Sequence, residues 1–203
     1  VLKNAIDSQN FIANANTRKE IRKELGLEDK FVVGHVGRLH PQKNHDFLID
    51  VFAEIKKKKP DAELILVGTG PLEEKVKSKV VEKGLSDCVH FLGNRKDMNR
   101  IYQAMDVFVF PSLFEGLGIV AIEAQAAGVP IVCSEGLPPE TDITPIYRKL
   151  LLSDGAEKWA NAALEMAQNP SANTNMQKYV IDAGFDMDAT AKYMESYYLR
   201  KYN

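Results

Sequence analysis

Short apolar runs alternate along this chain with longer segments in which apolar residues recur every three or four positions. Runs of about four to eight apolar, β-branched residues bounded by turn residues are typical of strands buried on both faces. Strands of this kind are predicted at residues 31–36, 64–67, 89–92, 107–110 and 131–133. A further strand is predicted at 149–152, after a loop that contains several prolines.

The longer periodicity is typical of amphipathic helices. Helices are predicted at residues 17–25, 44–58, 71–83, 96–105, 118–127, 156–168, 172–182 and 188–201. Strands and helices in alternation indicate βαβ units, a parallel sheet and right-handed crossovers. The predicted fold class is therefore α/β, a Rossmann-like parallel sheet flanked by helices.

Composition narrows the functional classes. The 203 residues suffice for one domain with a full core, and the net charge of −2 argues against a nucleic-acid binder, which normally has a basic face. No apolar run approaches the roughly 20 residues of a membrane span. Cys88 and Cys133 are expected to be reduced, buried thiols. Because the sequence begins with Val1, we expect it to be a piece of a longer protein.

The candidate chemistry follows the ends of the predicted strands. Ligands of open parallel sheets bind outside the carboxyl ends of the strands. The first strand is followed there by Gly37, Arg38 and Lys43. A basic pair beside a glycine suits phosphate oxygens, since Arg offers a planar fork of donors and Lys a point charge. An ordinary pair of surface charges remains the alternative.

Segment 111–128 carries two glutamates in different settings. Glu115 lies in a glycine-containing turn, whereas Glu123 lies within an apolar helical run. The backbone N–H groups of 116–119, where this helix begins, favour an anion. Because a buried carboxylate is costly without a partner, Glu123 is expected to meet either the hydroxyls of a ribose or an arginine. Chance produces such a spacing several times in this chain, so the setting rather than the spacing indicates a site.

Other motifs carry less. His35, His40 and His45 recur every five residues but have no acidic or cysteine partner at helical spacing, so no metal site is predicted. Asp186 and Asp188 precede a predicted helix, where they are expected to cap it. The segment GTGP lacks the third glycine of a dinucleotide-binding fingerprint.

The chain resembles the C-terminal half of a retaining GT-B glycosyltransferase, in particular bacterial enzymes of exopolysaccharide or capsule synthesis. The resemblance rests on NAIDSQNF, GHVGRLHPQKNHDFLI, LILVGTGPLEEKV and VHFLGNRKDMNRIYQAMDVFVFPSLFEGLGIVAIEAQAAGVPIV. It implies a nucleotide-sugar-binding domain over 27–186, preceded by an interdomain linker and first helix over 1–26. A C-terminal helix over 187–203 is expected to cross to an N-terminal domain that binds the acceptor.

The resemblance also implies roles for individual residues. Arg38 and Lys43 would bind the donor diphosphate and stabilise the departing negative charge, and Glu115 would contact the transferred sugar. These three are the predicted catalytic residues. Further donor-binding residues are implied at Gly37, Gly93, Asn94, Arg95, Gly116, Leu117, Gly118, Ile119 and Glu123.

Within that set, turn 93–95 would hold the base largely through backbone groups, 116–119 the phosphates and Glu123 the ribose. No metal ion or other cofactor is expected, because two cations and a helix N-terminus would supply the positive charge. Loop 134–144 departs from the glycine-rich loop of many relatives, which leaves the role of Glu140 open.

The predicted function is donor binding in an enzyme that moves a sugar from a UDP-sugar, ahead of a GDP-sugar, to a saccharide or lipid-linked acceptor in surface polysaccharide synthesis. The expected location is the cytoplasm, with peripheral association at the inner face of the plasma membrane. The isolated piece is expected to be inactive. Two alternatives stay open: a non-catalytic nucleotide-binding or scaffold module, and another GT-B enzyme such as a sugar-nucleotide epimerase.

Overall fold

A computed structural model describes residues 4–168 and 176–202 of the chain. Within these ranges the strands form one parallel sheet in the order β3-β2-β1-β4-β5-β6. The strands are β1 (Phe31–Val36), β2 (Ala62–Val67), β3 (Val89–Gly93), β4 (Val107–Phe110), β5 (Ile131–Ser134) and β6 (Tyr147–Leu150). The predicted Rossmann-like parallel sheet is confirmed.

Helices pack on both faces of the sheet. Along the chain they are α1 (Ala15–Leu25), α2 (His45–Lys58), α3 (Glu73–Glu82), α4 (Met98–Ala104), α5 (Ile119–Ala126), α6 (Ala156–Ala167), α7 (Gln177–Asp182) and α8 (Met187–Tyr202). Apolar residues of α2, α3 and α6 join the core on one face, and those of α1, α4 and α5 join the core on the other.

The central strands are mostly apolar because both of their faces are covered; His35 in β1 and Glu63 in β2 are buried polar exceptions. In β2, Leu64 and Leu66 point into the core beneath α2, whereas Ile65 and Val67 point into the opposite core. Each such side chain contributes about 1.5–3 kcal/mol when fully buried. Continuous apolar runs, rather than alternating ones, are what this two-sided burial requires.

The sixth strand lies two residues before its predicted position of 149–152. It spans Tyr147–Leu150 and pairs with β5 in parallel, with Tyr147 opposite Ile131. Leu152 begins a 3-10 turn, Leu152–Asp154, in which Asp154 Oδ2 accepts a hydrogen bond from the backbone N–H of Leu151. The prediction followed the apolar residues there, but the local turn bonding ends the strand earlier.

Other boundaries moved by one to three residues. α3 begins at Glu73 rather than 71, because the N–H of Leu72 bonds the carbonyl of Leu39 in a preceding turn. β2 begins two residues earlier than predicted, at Ala62. The predicted helix 172–182 is observed only from Gln177, and residues 172–175 of that prediction lie outside the described residues.

The N-terminal segment pairs with the residues around the start of α8. The N–H of Ile6 donates to the carbonyl of Phe185, and the N–H of Met187 donates to the carbonyl of Ile6. Asp186 Oδ1 accepts the N–H of Ala189 at 2.9 Å, which confirms the predicted cap at the start of α8. That α8 crosses to another domain stays a prediction. None of the described helices has the length and apolar character needed to cross a membrane.

Candidate functional site

Strand order reverses between β1 and β4. These two strands pair in parallel, with Val33 opposite Val107 and Gly34 opposite Phe108, although β2 and β3 lie between them in the sequence. A crevice opens at the carboxyl ends of the strands at such a switch point, and this is where α/β sheets bind ligands. The loops that follow β1 and β4 therefore form the candidate site.

Lys43 and Glu115 meet in this crevice. Lys43 Nζ lies 2.6 Å from Glu115 Oε1, and the two side chains are only 15% and 7% exposed. The ammonium also lies 4.8 Å from the centre of the Phe110 ring. A Cβ on Gly37 would lie 3.0 Å from Cδ and Cε of Lys43, so the lysine side chain runs directly over this glycine. The structure thus brings three predicted residues together.

The start of α5 has no side-chain cap. Gly118 has φ +70° and precedes Ile119, the first helical residue, without any side-chain cap. The N–H of Ala121 donates to the carbonyl of Gly118 at 2.8 Å, so the positive end of the helix and the N–H groups before Ala121 are the parts of this turn that suit an anion. A Cβ on Gly116 would meet no atom of the described chain within 4 Å, so the turn leaves open space in front of its backbone.

Glu123 lies one turn further along α5. Its Oε2 accepts a hydrogen bond from the Tyr102 hydroxyl at 2.9 Å. Burial raises the pKa of Glu123, against the opposing effect of that hydrogen bond. Within residues 4–168 and 176–202 Glu123 forms no ion pair, so the alternative of an arginine partner is wrong there.

Tyr102 was not predicted as part of the site. It is fully buried in α4, and its hydroxyl also donates to the carbonyl of Val120 at 3.2 Å. Burial raises the pKa of Tyr102 well above its ordinary value, and the charge of Glu123 adds to this effect. A tyrosine in an apolar helix face needs a hydrogen-bond partner when it is buried. This need could have pointed to Tyr102, but the sequence does not identify the partner.

Arg38 presents an uncommitted positive charge. It is exposed at the end of β1 and forms no ion pair with any residue that the structure describes. Arg38 is exposed, whereas Lys43 is partly buried and paired with Glu115, so of these two cations the guanidinium is the more accessible from solvent.

Turn 93–95 follows β3, the edge strand, at the same carboxyl end of the sheet as the loops after β1 and β4. Gly93 has φ +61° and Asn94 is exposed. Arg95 is held by Asp97 at 2.7 Å and by Glu24 at 3.1 Å, and these carboxylates raise the pKa of its guanidinium. β3 stands two strands from β1, about 10 Å away. With its Arg95 side chain engaged, this turn offers a ligand mainly its backbone.

Two buried histidines pack behind the Lys43 loop. The rings of His35 and His45 are 4.7 Å apart, and His35 Nδ1 lies 2.9 Å from the carbonyl oxygen of Val109. Burial, and then the charge of Lys43, lowers the pKa of His45 to about 4. Burial likewise lowers the pKa of His35 well below its ordinary value, so both rings are neutral near pH 7.

The loop after β5 supports the Glu115 turn. The N–H of Glu115 donates to the carbonyl of Gly136 at 2.9 Å, and the Ser134 hydroxyl donates to the carbonyl of Ser112. A Cβ on Gly136 would lie 2.4 Å from the carbonyl oxygen of Leu113, so only glycine fits this approach. Glu140 lies exposed in a 3-10 turn at Pro139–Thr141, and its role stays open.

Comparisons with known proteins identify the family of this chain. Residues 17–183 match the family model described as glycosyl transferases group 1. The putative glycosyltransferase EpsF of Bacillus subtilis is 34% identical over 169 residues, which are 82% of this chain and 44% of that protein. A GDP-mannose-dependent monoacylated alpha-(1-6)-phosphatidylinositol monomannoside mannosyltransferase of Corynebacterium glutamicum is 32% identical over 181 residues, 83% of this chain and 47% of that protein.

Solved structures match the fold. The crystal structure of Anabaena Alr3699/HepE in complex with UDP and glucose superposes with a TM-score of 0.82 at 24% identity, over 97% of this chain and 55% of that one. The prediction of a Rossmann-like sheet of the GT-B kind is confirmed at the level of fold. The chain spans about half the length of the curated relatives that it matches.

Proposed function

Because this chain belongs to the group 1 glycosyl transferases, we propose that it is the donor-binding half of a retaining enzyme that transfers a sugar from a nucleoside diphosphate sugar. The observation that carries the proposal is the contact between Lys43 and Glu115 at the switch point. A cation and a carboxylate are placed side by side in a crevice that also faces the free N-terminus of α5. These groups suit the two parts of a sugar diphosphate.

The diphosphate binds between the loop after β1 and the start of α5. Arg38 and Lys43 supply positive charge, and the N–H groups of 116–119 supply hydrogen bonds to phosphate oxygens. Negative charge grows on the diphosphate as the glycosidic bond breaks. Donors that are already oriented towards that charge lower the barrier without reorganisation, and in this proposal they do so without a resident metal ion.

Glu115 contacts the sugar. Its carboxylate accepts hydrogen bonds from sugar hydroxyls, while Lys43 fixes its orientation. The incoming acceptor hydroxyl attacks from the face that the diphosphate leaves, and a phosphate oxygen of the leaving group takes the hydroxyl proton. The anomeric configuration is thereby retained.

The nucleoside extends from the diphosphate along the sheet edge. Glu123 accepts hydrogen bonds from the ribose hydroxyls, and the backbone of turn 93–95 holds the base. Backbone groups can distinguish bases by the pattern of donors and acceptors that they present. Proteins similar to this chain are associated with two nucleotides: one solved structure contains UDP, and one relative is named as GDP-mannose-dependent. For this chain we propose a UDP-sugar ahead of a GDP-sugar.

In the intact protein the acceptor is a saccharide or lipid-linked saccharide of a bacterial surface polysaccharide, and it binds outside the described chain. The exposed helix α8 then packs on the acceptor-binding domain. We propose a cytoplasmic protein associated with the inner face of the plasma membrane.

A transfer assay on the intact protein tests the proposal. UDP-sugars and GDP-sugars are supplied with a lipid-linked saccharide acceptor, and the anomeric configuration of the product is read by NMR. Lys43→Met is expected to lower kcat at least about a hundredfold, by analogy with the loss of one preorganised donor. Lys19→Met, an exposed change on α1, is the matched control and is expected to leave kcat unchanged. Equal activity of both variants, or an inverted product, would contradict the proposal.

A further inference from the structure

Gln42 joins the two loops that carry Lys43 and Glu115. Its backbone carbonyl accepts the N–H of Leu113 at 2.8 Å, and its side-chain Nε2 donates to the carbonyl of Phe114 at 2.8 Å. One residue of the loop after β1 is therefore hydrogen-bonded to two consecutive residues of the loop after β4. Glu115 follows these two residues directly, and Lys43 follows Gln42 directly.

We propose that Gln42 is a positioning residue, which sets the register between Lys43 and Glu115. The inference rests on the proposed function, because it gives Gln42 a role in placing the cation and the carboxylate of that site. Gln42 itself need not touch the donor.

Other backbone bonds hold the two loops separately, so the position of Lys43 relative to Glu115 depends on a bond between the loops. Glu115 is fixed on one side, where its N–H donates to the carbonyl of Gly136. On the other side the 3-10 turn Pro41–Lys43 is held locally, through the N–H of Lys43 and the carbonyl of His40. Among the described backbone hydrogen bonds, only the one from the N–H of Leu113 to the carbonyl of Gln42 connects this turn to segment 113–114.

The side-chain bond is the separable part of this connection. Replacing Gln42 leaves its backbone bond to Leu113 but removes the donor to Phe114. The carbonyl of Phe114 is then free to turn, and Glu115 is the next residue. A displacement of about 1 Å between reacting groups costs on the order of a hundredfold in rate.

The experiment compares Gln42→Met with wild type in the intact protein. Met is similar in length and cannot donate, and the matched control is Gln9→Met, a change at an exposed residue of the turn Ser8–Phe11. Gln42→Met is expected to lower kcat about tenfold to a hundredfold, with the donor KM within about threefold of wild type. The melting temperature is expected to change by less than about 4 °C, the shift for one lost hydrogen bond in a domain of this size. Gln9→Met is expected to match wild type in all three.

Gln42→Glu separates positioning from packing. The carboxylate keeps the size of Gln but cannot donate to the Phe114 carbonyl near neutral pH, whereas its protonated form can. The kcat of Gln42→Glu is therefore expected to recover relative to wild type as the pH is lowered, and that of Gln42→Met is not. An unchanged kcat in Gln42→Met would overturn the role. So would a fall in kcat that is accompanied, in both variants, by a clear fall in melting temperature.

A second readout does not depend on catalysis. The ¹⁵N ammonium resonance of Lys43 is expected to be visible in wild type, since the Glu115 contact slows its exchange, and to broaden in Gln42→Met. If wild type neither binds a nucleotide nor turns over, the proposed function fails while this spectrum still decides the role of Gln42. An ammonium signal identical in both proteins would refute the role even in an active enzyme.

Discussion

The hydroxyl of Tyr102 donates a 2.9 Å hydrogen bond to Oε2 of Glu123, across the gap between α4 and α5. It fixes one oxygen of a carboxylate that has no ion-pair partner in the described parts of the chain. In the proposed function, ribose hydroxyls donate to the other oxygen, Oε1. The buried tyrosine explains how an acidic residue persists within the apolar face of α5.

Tyr102→Phe tests this relationship. Without the hydroxyl, the pKa of Glu123 is expected to rise further, because the hydrogen bond is what opposes the effect of burial. The affinity for the nucleoside diphosphate is expected to fall about fivefold, the loss of one hydrogen bond of about 1 kcal/mol. NMR titration of ¹³C-labelled glutamate side chains measures the pKa, and Tyr179→Phe at the exposed end of the fold is the control. An unmoved Glu123 pKa would show that the bond is not formed.

Glu123→Gln is expected to weaken nucleotide binding and stabilise the fold. The pKa of Glu123 is raised in the folded state, so the ionised carboxylate near pH 7 opposes folding. This cost disappears as the pH falls below the ordinary pKa of a glutamate, where the carboxyl is protonated in both states. Glutamine has no such cost and still accepts the Tyr102 bond. The melting temperature is expected to rise by about 1–4 °C at neutral pH, with a smaller difference at lower pH.

Calorimetry and thermal unfolding at two pH values check this pair of effects. Glu20→Gln, an exposed change on α1, is the matched control and is expected to alter neither. A Glu123→Gln variant that binds nucleotide as wild type does would remove Glu123 from the ribose site.

Arg38 and Lys43 are expected to differ in what their loss does to stability. Arg38→Ala removes an exposed side chain, so unfolding is expected to change by less than about 0.5 kcal/mol while nucleotide affinity falls about tenfold. Lys43→Met leaves Glu115 buried without its cation and is expected to destabilise the fold by about 3–5 kcal/mol. Urea denaturation with both variants measures this contrast, which equal destabilisation would contradict.

The buried histidines predict an acid-sensitive fold. Burial lowers the pKa of His45 in the folded state to about 4, from an ordinary value of 6.5, so the unfolded chain binds a proton first as the pH falls. Stability is therefore lost as the pH drops from about 6.5 towards about 4, on the order of 2 kcal/mol at about pH 5 from His45 alone.

His45→Phe keeps a ring and removes the titration. Its unfolding free energy is expected to fall less between about pH 7 and about pH 5 than that of wild type, measured by urea denaturation. His40→Phe, at an exposed position, is expected to follow wild type. The same pH dependence in wild type and His45→Phe would show that His45 is not buried in its neutral form.

The fold was largely predictable because its strands are buried on both faces. β4 is a continuous apolar run and β1 is interrupted only by Gly34 and His35, and the predicted bounds of both strands are correct. β6 was not, since Tyr147 and Arg148 are only half buried at the sheet edge, where hydrogen bonding rather than hydrophobicity sets the register. Local patterns also cannot show where a turn such as Leu152–Asp154 ends a strand.

The candidate site was predictable as a set of positions but not as a set of contacts. Strand ends identified Lys43 and Glu115 as neighbours of one crevice, yet their ion pair depends on β1 lying beside β4, a relation of topology. Tyr102 and Gln42 were missed for a related reason. Each acts through a partner far away in sequence, and nothing in its own local pattern names that partner.

The claim that this chain binds a nucleoside diphosphate is tested most directly by calorimetric titration of the chain with UDP, GDP and ADP. The account predicts saturable binding of UDP and weaker binding of GDP and ADP. The affinity for UDP is expected to fall about tenfold in Arg38→Ala, to fall also in Glu123→Gln, and to stay unchanged in Lys19→Met. Binding of none of the three nucleotides, or UDP binding as tight as that of wild type in both site variants, would contradict it.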